Sequence, residues 1–223
     1  MKKAVSIITV IVLPVFVLLF VFQLAVFDLD YFEKKFIENN TMEITGLDLD
    51  QLMRVSDETL KYLNDERQDL ILHEEVNGEE IQVFEENELN HMRDVKILFM
   101  NGFIIKNAAM FISILCLVYL VFKDGKLLWK TIRTGAILYL LLIGAVAVMA
   151  YVDFRSVFVV FHKLLFTNEL WIMDPKEDIM IQMLPLDFFM GIGIRTAALY
   201  FGYIAISIVI STMMLRGYNE WDI

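Results

Sequence analysis

Apolar and polar positions fall along this chain in long blocks, and the blocks set out its elements. An apolar run from Ala4 to Phe27 follows two lysines, Lys2 and Lys3. At about 1.5 Å per residue it can cross a hydrocarbon core of roughly 30 Å. It is longer than the apolar region of a signal peptide and lacks a small-x-small cleavage site. It therefore reads as an uncleaved first span, with Lys2 and Lys3 holding the N-terminus in the cytoplasm. Pro14 is expected to kink it.

A polar block follows. Between Asp28 and Asn40 the pattern is mixed, and Tyr31, Phe32 and Phe36 suit an interfacial aromatic belt. Leu49, Leu52, Met53, Leu60 and Leu63 recur at helical spacing, with Ser56 as the expected cap of a second helix. The runs LILHEEV and EEIQVF flank Asn77-Gly78, a strong hairpin signal. Asn87, or less well Asn90, caps the next helix, which carries His91 and Asp94 and continues into the second span.

Three more apolar blocks complete the pattern, at about 97–122, 134–152 and 188–215. The loop 123–133 carries Lys123, Lys126, Lys130 and Arg133 against one acid, Asp124, which assigns it to the cytoplasm together with the tail 216–223, opened by Arg216. Segments 28–96 and 153–187 then share the outer side. The expected architecture is a membrane all-α core of four transmembrane helices with a small α+β extracellular cap containing a β-hairpin. Lys106, in the outer part of the second span, either snorkels to the interface or faces a polar cavity.

Composition agrees with this division. The 223 residues are 58% hydrophobic, and the mean hydropathy is +0.60. A net charge of −10, with most of the acid between Asp28 and Asp94, argues against a nucleic-acid partner. The single cysteine, Cys116, lies mid-span and reads as packing, so no disulfide framework and no cysteine zinc site is expected.

Candidate chemistry gathers at two histidines. His91 lies in NELNHMRDVK, a few residues before the second span. His162 lies in VDFRSVFVVFHKLLFTNELWIMDP, where a helix would put Arg155, Phe158, His162, Phe166 and Glu169 on one face, with Phe154, Phe161, Leu165 and Trp171 beside them. That segment is too short and too mixed for a fifth span; an interfacial or re-entrant helix fits it, and Asp174-Pro175 then opens a turn or a new short helix. The topology places both histidines on one side of the membrane. Imidazole titrates near pH 6.5, so one could take a proton while the other gives one. The alternative is two unconnected interfacial histidines, each with its own hydrogen-bond partner. His73, among hairpin glutamates, is assigned no role.

The sequence has no Gly-x-Ser-x-Gly, no His-Glu-x-x-His and no phosphate loop. Ser113, Ser207 and Ser211 lie within spans and read as helix-packing residues. With no Ser or Cys nucleophile placed near either histidine, the nucleophile would have to come from the substrate. Arg155 and Arg195 are candidates to hold a lipid phosphate or to pair with the outer acids.

The motifs NHMRDVK and FHKLLFTNELWIMDP, with a Leu-Pro-x-x-Phe-Phe stretch from Leu184 to Phe189, resemble the lipoprotein intramolecular transacylase family, Lit, over the whole chain. The resemblance implies four transmembrane helices under an extracellular cap. It implies transfer of the sn-2 acyl chain of a diacylglyceryl lipoprotein to the α-amino group of its own N-terminal cysteine. It implies catalysis by His91 and His162. Asp94, Arg155, Phe158, Asn168 and Trp171 are added from the residue pattern as substrate-binding or supporting groups. No metal or other cofactor is expected. The expected partners are diacylglyceryl-modified lipoproteins and membrane lipid, met by a monomeric multi-pass protein of the cell membrane. Two other readings stand beside it: a non-enzymatic membrane protein whose acidic cap binds a partner, and a membrane metallohydrolase using both histidines and an acid.

Overall fold

The structure, a computed structural model, describes residues 1–76 and 78–220, with side chains through Tyr218. In chain order the elements are α1 (Lys2–Val26), α2 (Leu29–Glu38), α3 (Thr41–Thr45), α4 (Leu49–Leu63), β1 (His73–Val76), β2 (Glu79–Gln82), α5 (Glu86–Lys123), α6 (Gly125–Val152), α7 (Phe154–Leu165), α8 (Ile179–Met183) and α9 (Leu186–Glu220). Four of them, α1, α5, α6 and α9, are long and apolar enough to cross a membrane. The fold divides into two compact units. Unit one holds Met1–Ala25, Gly102–Asp153 and the chain from Gly193 onward; unit two holds Val26–Asn101 and Phe154–Ile192.

Unit one is a helix bundle whose core is Val21, Ala136, Tyr200 and Ile204. Helix α6 packs on α1 at Gly135, where a Cβ would lie 3.6 Å from the Val10 backbone, an ordinary contact distance. Tyr200 is fully buried and its hydroxyl donates to the Pro14 carbonyl at 3.2 Å, while Tyr139 donates to the Ile11 carbonyl at 3.2 Å. Polar pairs cross the same helices: Ser6 with Thr131 at 2.6 Å, and Lys2 with Asp124 at 3.1 Å. Large apolar side chains face outward in all four helices, among them Ile7, Phe111, Leu141 and Ile206 at 61–68% exposure. Such a surface is stable only against an apolar solvent. The stretch between the second and third apolar blocks is almost wholly helical. Only Asp124 interrupts it, and its side chain caps α6 by accepting the Leu127 N–H at 3.0 Å. Lys106 hydrogen-bonds Gln23 and lies 5.2 Å from the Phe103 ring centroid, sharing its charge with neutral neighbours.

Unit two has its own core of Phe36, Leu47, Leu52, Val55, Leu63, Val83 and Phe84, each at most 5% exposed. Tyr31, Phe32 and Phe36, placed by the sequence pattern in an aromatic belt, are instead core residues at 7%, 5% and 0% exposure. The cause is the amphipathic α2, whose aromatic stripe turns inward. Tyr31 and Phe32 pack on Phe188 at 5.2 and 4.8 Å between ring centroids, and the Tyr31 hydroxyl donates to the Phe188 carbonyl at 2.8 Å.

Ser56 does not cap a second helix. It lies buried inside the continuous α4, where its hydroxyl donates to the Leu52 carbonyl four residues back, a bond that satisfies a mid-helix serine. The cap of α4 is Asp48, in a reciprocal box with Gln51. The hairpin forms as the pattern requires, antiparallel, with Val76 opposite Glu79 and His73 opposite Gln82. Gly78 adopts φ +85°, which glycine tolerates in the turn, and Asn77 lies outside the described residues. His73 is exposed on β1.

Candidate active site

The site lies wholly within unit two, on the first turns of α5 and on α7. Neither Asn87 nor Asn90 caps α5; both lie inside it. The reach-back comes from Glu88, whose carboxylate accepts the Glu85 N–H at 2.7 Å and so satisfies one open donor at the helix start. The rotation of α5 is set further along by Lys96. Its ammonium bonds Asp65 at 2.7 Å and the Arg67 carbonyl at 3.0 Å, and lies 4.5 Å from the Tyr62 ring centroid. These contacts turn His91 and Met92 inward, to 8% and 6% exposure.

Helix α7 is apolar on one side and brings His162 to the same place, also 8% exposed. The two imidazole centroids are 6.2 Å apart. Phe166 touches both rings, at 5.2 Å from His91 and 5.6 Å from His162. Phe158, Trp171 and Phe161 surround His162 at 4.2, 4.9 and 5.4 Å. Phe189 closes the wall behind Phe158 at 5.3 Å.

The nitrogens of the two rings differ. His162 Nδ1 lies 2.8 Å from the Phe158 carbonyl oxygen. A carbonyl only accepts, so Nδ1 carries the hydrogen, and in the neutral ring Nε2 holds the lone pair. His91 Nδ1 is buried with no hydrogen-bond partner among the described residues. Burial pushes the His162 pKa below 6.5, and the Phe158 carbonyl opposes this only in part. His162 is therefore neutral at physiological pH.

The supporting residues divide. Asn168 donates to the Asp94 carboxylate at 2.7 Å, and the Trp171 indole N–H donates to the Asn168 carbonyl at 3.1 Å. Asp94, Asn168 and Trp171 thus form one chain that ends on the His162 ring. Phe158 acts twice, through its ring and its carbonyl. Arg155 is exposed and makes no ion pair among the described residues, so the structure does not join it to this network. Glu169 also departs from expectation. Helix α7 ends at Leu165, and Glu169 lies exposed beyond it rather than on the histidine face. Among the described residues no three His, Cys, Asp or Glu side chains come together as metal ligands.

Two features were missed by the sequence pattern. Phe189 was marked only as the end of the Leu-Pro-x-x-Phe-Phe stretch, with no place at the site attached to it. Glu88 had one: an acid three residues after Glu85 at a helix start is where a reach-back carboxylate belongs.

The relationships of the chain bear on the same site. The family described as Lipoprotein intramolecular transacylase Lit matches residues 7–189. No curated protein sequence matches the chain. Among solved structures, the membrane integral lipoprotein intramolecular transacylase Lit from Bacillus cereus is similar at TM-score 0.85 and 21% identity, over 99% of this chain and 98% of that one. A structure of that Bacillus cereus protein with a histidine replaced by alanine is similar at TM-score 0.79 and 20% identity, over 99% and 96% of the two chains. Another, with a histidine replaced by arginine, gives 0.79 and 20% over 99% and 94%. The likeness in fold covers both units, and the family match runs from α1 into the first turn of α9, taking in both histidines. This chain belongs to the lipoprotein intramolecular transacylase family, Lit.

Proposed function

We propose that this enzyme moves the sn-2 acyl chain of a diacylglyceryl lipoprotein onto the α-amino group of that lipoprotein's own N-terminal cysteine, with His91 and His162 as its acid–base pair. The observation that carries the reading is the pair itself: two buried imidazoles 6.2 Å apart inside one aromatic wall. The substrate supplies the nucleophile, so the site needs neither a side-chain nucleophile nor a cofactor. The amine nitrogen attacks the ester carbonyl, the bond to the glycerol oxygen breaks, and an amide forms. The nitrogen loses one proton and the glycerol oxygen gains one.

His162 suits the first transfer because its Nε2 lone pair is free to accept. Burial and the neighbouring His162 push the His91 pKa down to about 4, so His91 also rests neutral and serves the second transfer by passing on the proton that His162 takes up. Two imidazolium charges at this separation repel, which favours a pair that carries one proton at a time and returns to its starting state after each turnover. Since the reaction is internal to one substrate, positioning is the main contribution, worth on the order of 7–11 kcal/mol when ester and amine are held in attack geometry. The aromatic wall and the Asp94–Asn168–Trp171 chain supply the fixed surroundings.

A multi-pass protein of this family meets its substrate at a membrane surface. We place both termini in the cytoplasm and unit two outside. The Lys2–Asp124 bond sets the start of α1 beside the turn into α6, whose first turns carry Lys126, Lys130 and Arg133, and this cation-rich end suits the inner face. Helix α5 has 38 residues, about 57 Å at 1.5 Å each, against a hydrocarbon core of roughly 30 Å. Its charged first turns, with His91, then stand beyond the hydrocarbon. Both histidines belong to one copy of the chain, which supports action as a monomer on lipoproteins within membrane lipid.

Expressing the chain in cells that make only diacylglyceryl lipoproteins tests the reaction. Mass analysis of a lipoprotein's N-terminal peptide should then show the acyl chain on the amine and a free glycerol hydroxyl. Unchanged diacylglyceryl peptide alongside well-expressed protein would sink the reading.

The pH dependence tests the base. A lowered His162 pKa keeps the ring neutral at physiological pH, so the part of the activity that depends on this base is lost as pH falls through a value below 6.5. The substrate amine, near 7.7–8.0, adds its own limb above that. The logarithm of the rate should therefore rise with a slope of about two at low pH and about one between the two values. A steep limb centred above 6.5 would exclude His162 as this base.

A further inference from the structure

Among the described residues Glu88 is the one fully buried acid, at 0% exposure, and it lies one helical turn before His91. Burying a carboxylate costs several kcal/mol unless it is well bonded. Here one oxygen accepts the Glu85 N–H at 2.7 Å, at the start of its own helix. The other accepts the Met180 N–H, also at 2.7 Å and across 92 residues of chain. Met180 stands in the first turn of α8, a helix of five residues that is too short to persist unaided. The residue before α8, Asp178, gives that helix no side-chain cap, since its carboxylate instead accepts the Asp174 N–H at 2.5 Å. Glu88 does the capping from α5.

The segment that Glu88 holds is the one that lines the histidine pair. From Phe166 the chain passes Asn168, which bonds Asp94, and Trp171, which lies on His162. It then tightens into a turn in which the Glu177 and Asp178 N–H groups donate to the Asp174 carbonyl, and reaches Met180. Glu88, His91 and Asp94 recur every three residues on α5. The two acids thus fasten one strap at points on either side of the histidine between them. The Glu88 end is buried and doubly bonded; the Asp94 end is a single bond at an exposed position.

We infer that Glu88 is a positioning residue for the histidine pair: its buried carboxylate anchors the Phe166–Met180 strap, and so holds Phe166 and Trp171 against the two imidazoles. It touches neither substrate nor reacting atoms. The inference rests on the reading of His91 and His162 as the reaction centre.

The test uses the full-length protein in lipid, with a diacylglyceryl lipopeptide as substrate. Glu88→Ala should lower kcat by on the order of 10²-fold, because a small misplacement of reacting groups costs that much. KM should change by no more than about twofold, since the loss falls on the chemical step rather than on substrate binding. Glu88→Gln keeps one acceptor oxygen and should recover kcat to within about tenfold of the parent. It also carries the test if the alanine variant fails to fold. Amide hydrogen exchange over 179–184, which needs no turnover, should accelerate in Glu88→Ala.

His162→Ala is assayed in parallel to separate the two claims. If it retains the parent rate, the histidine reading itself fails. If it is inactive while a folded Glu88→Ala keeps parental kcat, only the positioning role fails. Unchanged exchange at 179–184, or a loss of thermal stability with kcat intact, would likewise overturn the inference.

Discussion

Replacing His91 or His162 with alanine is expected to abolish conversion of a diacylglyceryl lipoprotein, with each single change costing about 10²–10⁴-fold in rate. The protein should still insert and remain folded. Each ring is set among aromatic neighbours that stay in place, and the one hydrogen bond lost at His162 is to the Phe158 carbonyl within its own helix. The double variant should be hardly slower than either single one, because groups that act as a unit are not additive. Mass analysis of the lipoprotein's N-terminal peptide in cells and with purified protein provides the measurement. Near-parental activity in either variant would remove that histidine from the mechanism. A double variant slower by the product of the single losses would show that the two act independently.

The second large effect lies away from the chemistry. Gly191→Ala is expected to destabilise the protein by about 2–6 kcal/mol, the sum of an overpacking cost near 1–3 and a lost buried hydrogen bond near 1–3. A Cβ at residue 191 would stand 1.9 Å from the Tyr31 hydroxyl and 3.0 Å from the ring carbon that bears it. Tyr31 cannot yield cheaply. It is 7% exposed, packs on Phe188, and donates to the Phe188 carbonyl at 2.8 Å. Glycine is needed here for close approach alone. The drop in Tm should be on the order of ten degrees. Tyr31→Phe in the Gly191→Ala background removes the atom in sharpest conflict and should recover part of the loss, a coupling that a double-mutant cycle reads directly. Thermal unfolding of the four proteins in one detergent is sufficient. A Gly191→Ala protein as stable as its parent, or a Tyr31→Phe penalty undiminished by it, would refute the account.

What the sequence disclosed and what it withheld divide along a physical line. The four long apolar runs announced themselves because length against bilayer thickness is a property of each run alone. The hairpin was equally local, since two strand-like runs separated by Asn77-Gly78 have few other options. Asp48 and Ser56 show where local reasoning slips. Both residue types favour caps, yet a serine can also satisfy itself against the carbonyl four residues back, and Leu52 offers one. Tyr31, Phe32 and Phe36 suited either an interface or a core, and only the partner face carrying Phe188 decides between them. Glu169 was extrapolated along a helix that stops at Leu165.

The site itself was half legible. Both histidines were marked by the polar residues around them and by the family motifs. Their approach to 6.2 Å joins positions 71 residues apart, and no spacing encodes such a distance. Glu88 is the sharper instance. Its bond to Glu85 follows from helix-start logic, whereas its bond to Met180 exists only once α5 and α8 have met.

The bond from His162 to the Phe158 carbonyl has a further consequence for traffic through the ring. In a catalytic triad the nitrogen at the rear of the imidazole faces a carboxylate, which stabilises the charged ring while it holds a borrowed proton. Here the rear nitrogen is moored to an uncharged oxygen, so the charged ring gains little from behind. As the proposed base, His162 has a single port: what enters at Nε2 leaves at Nε2, and soon. Such a ring is poorly made for storing charge across a long-lived intermediate. It is well made for a reaction in which donor and acceptor arrive together on one molecule.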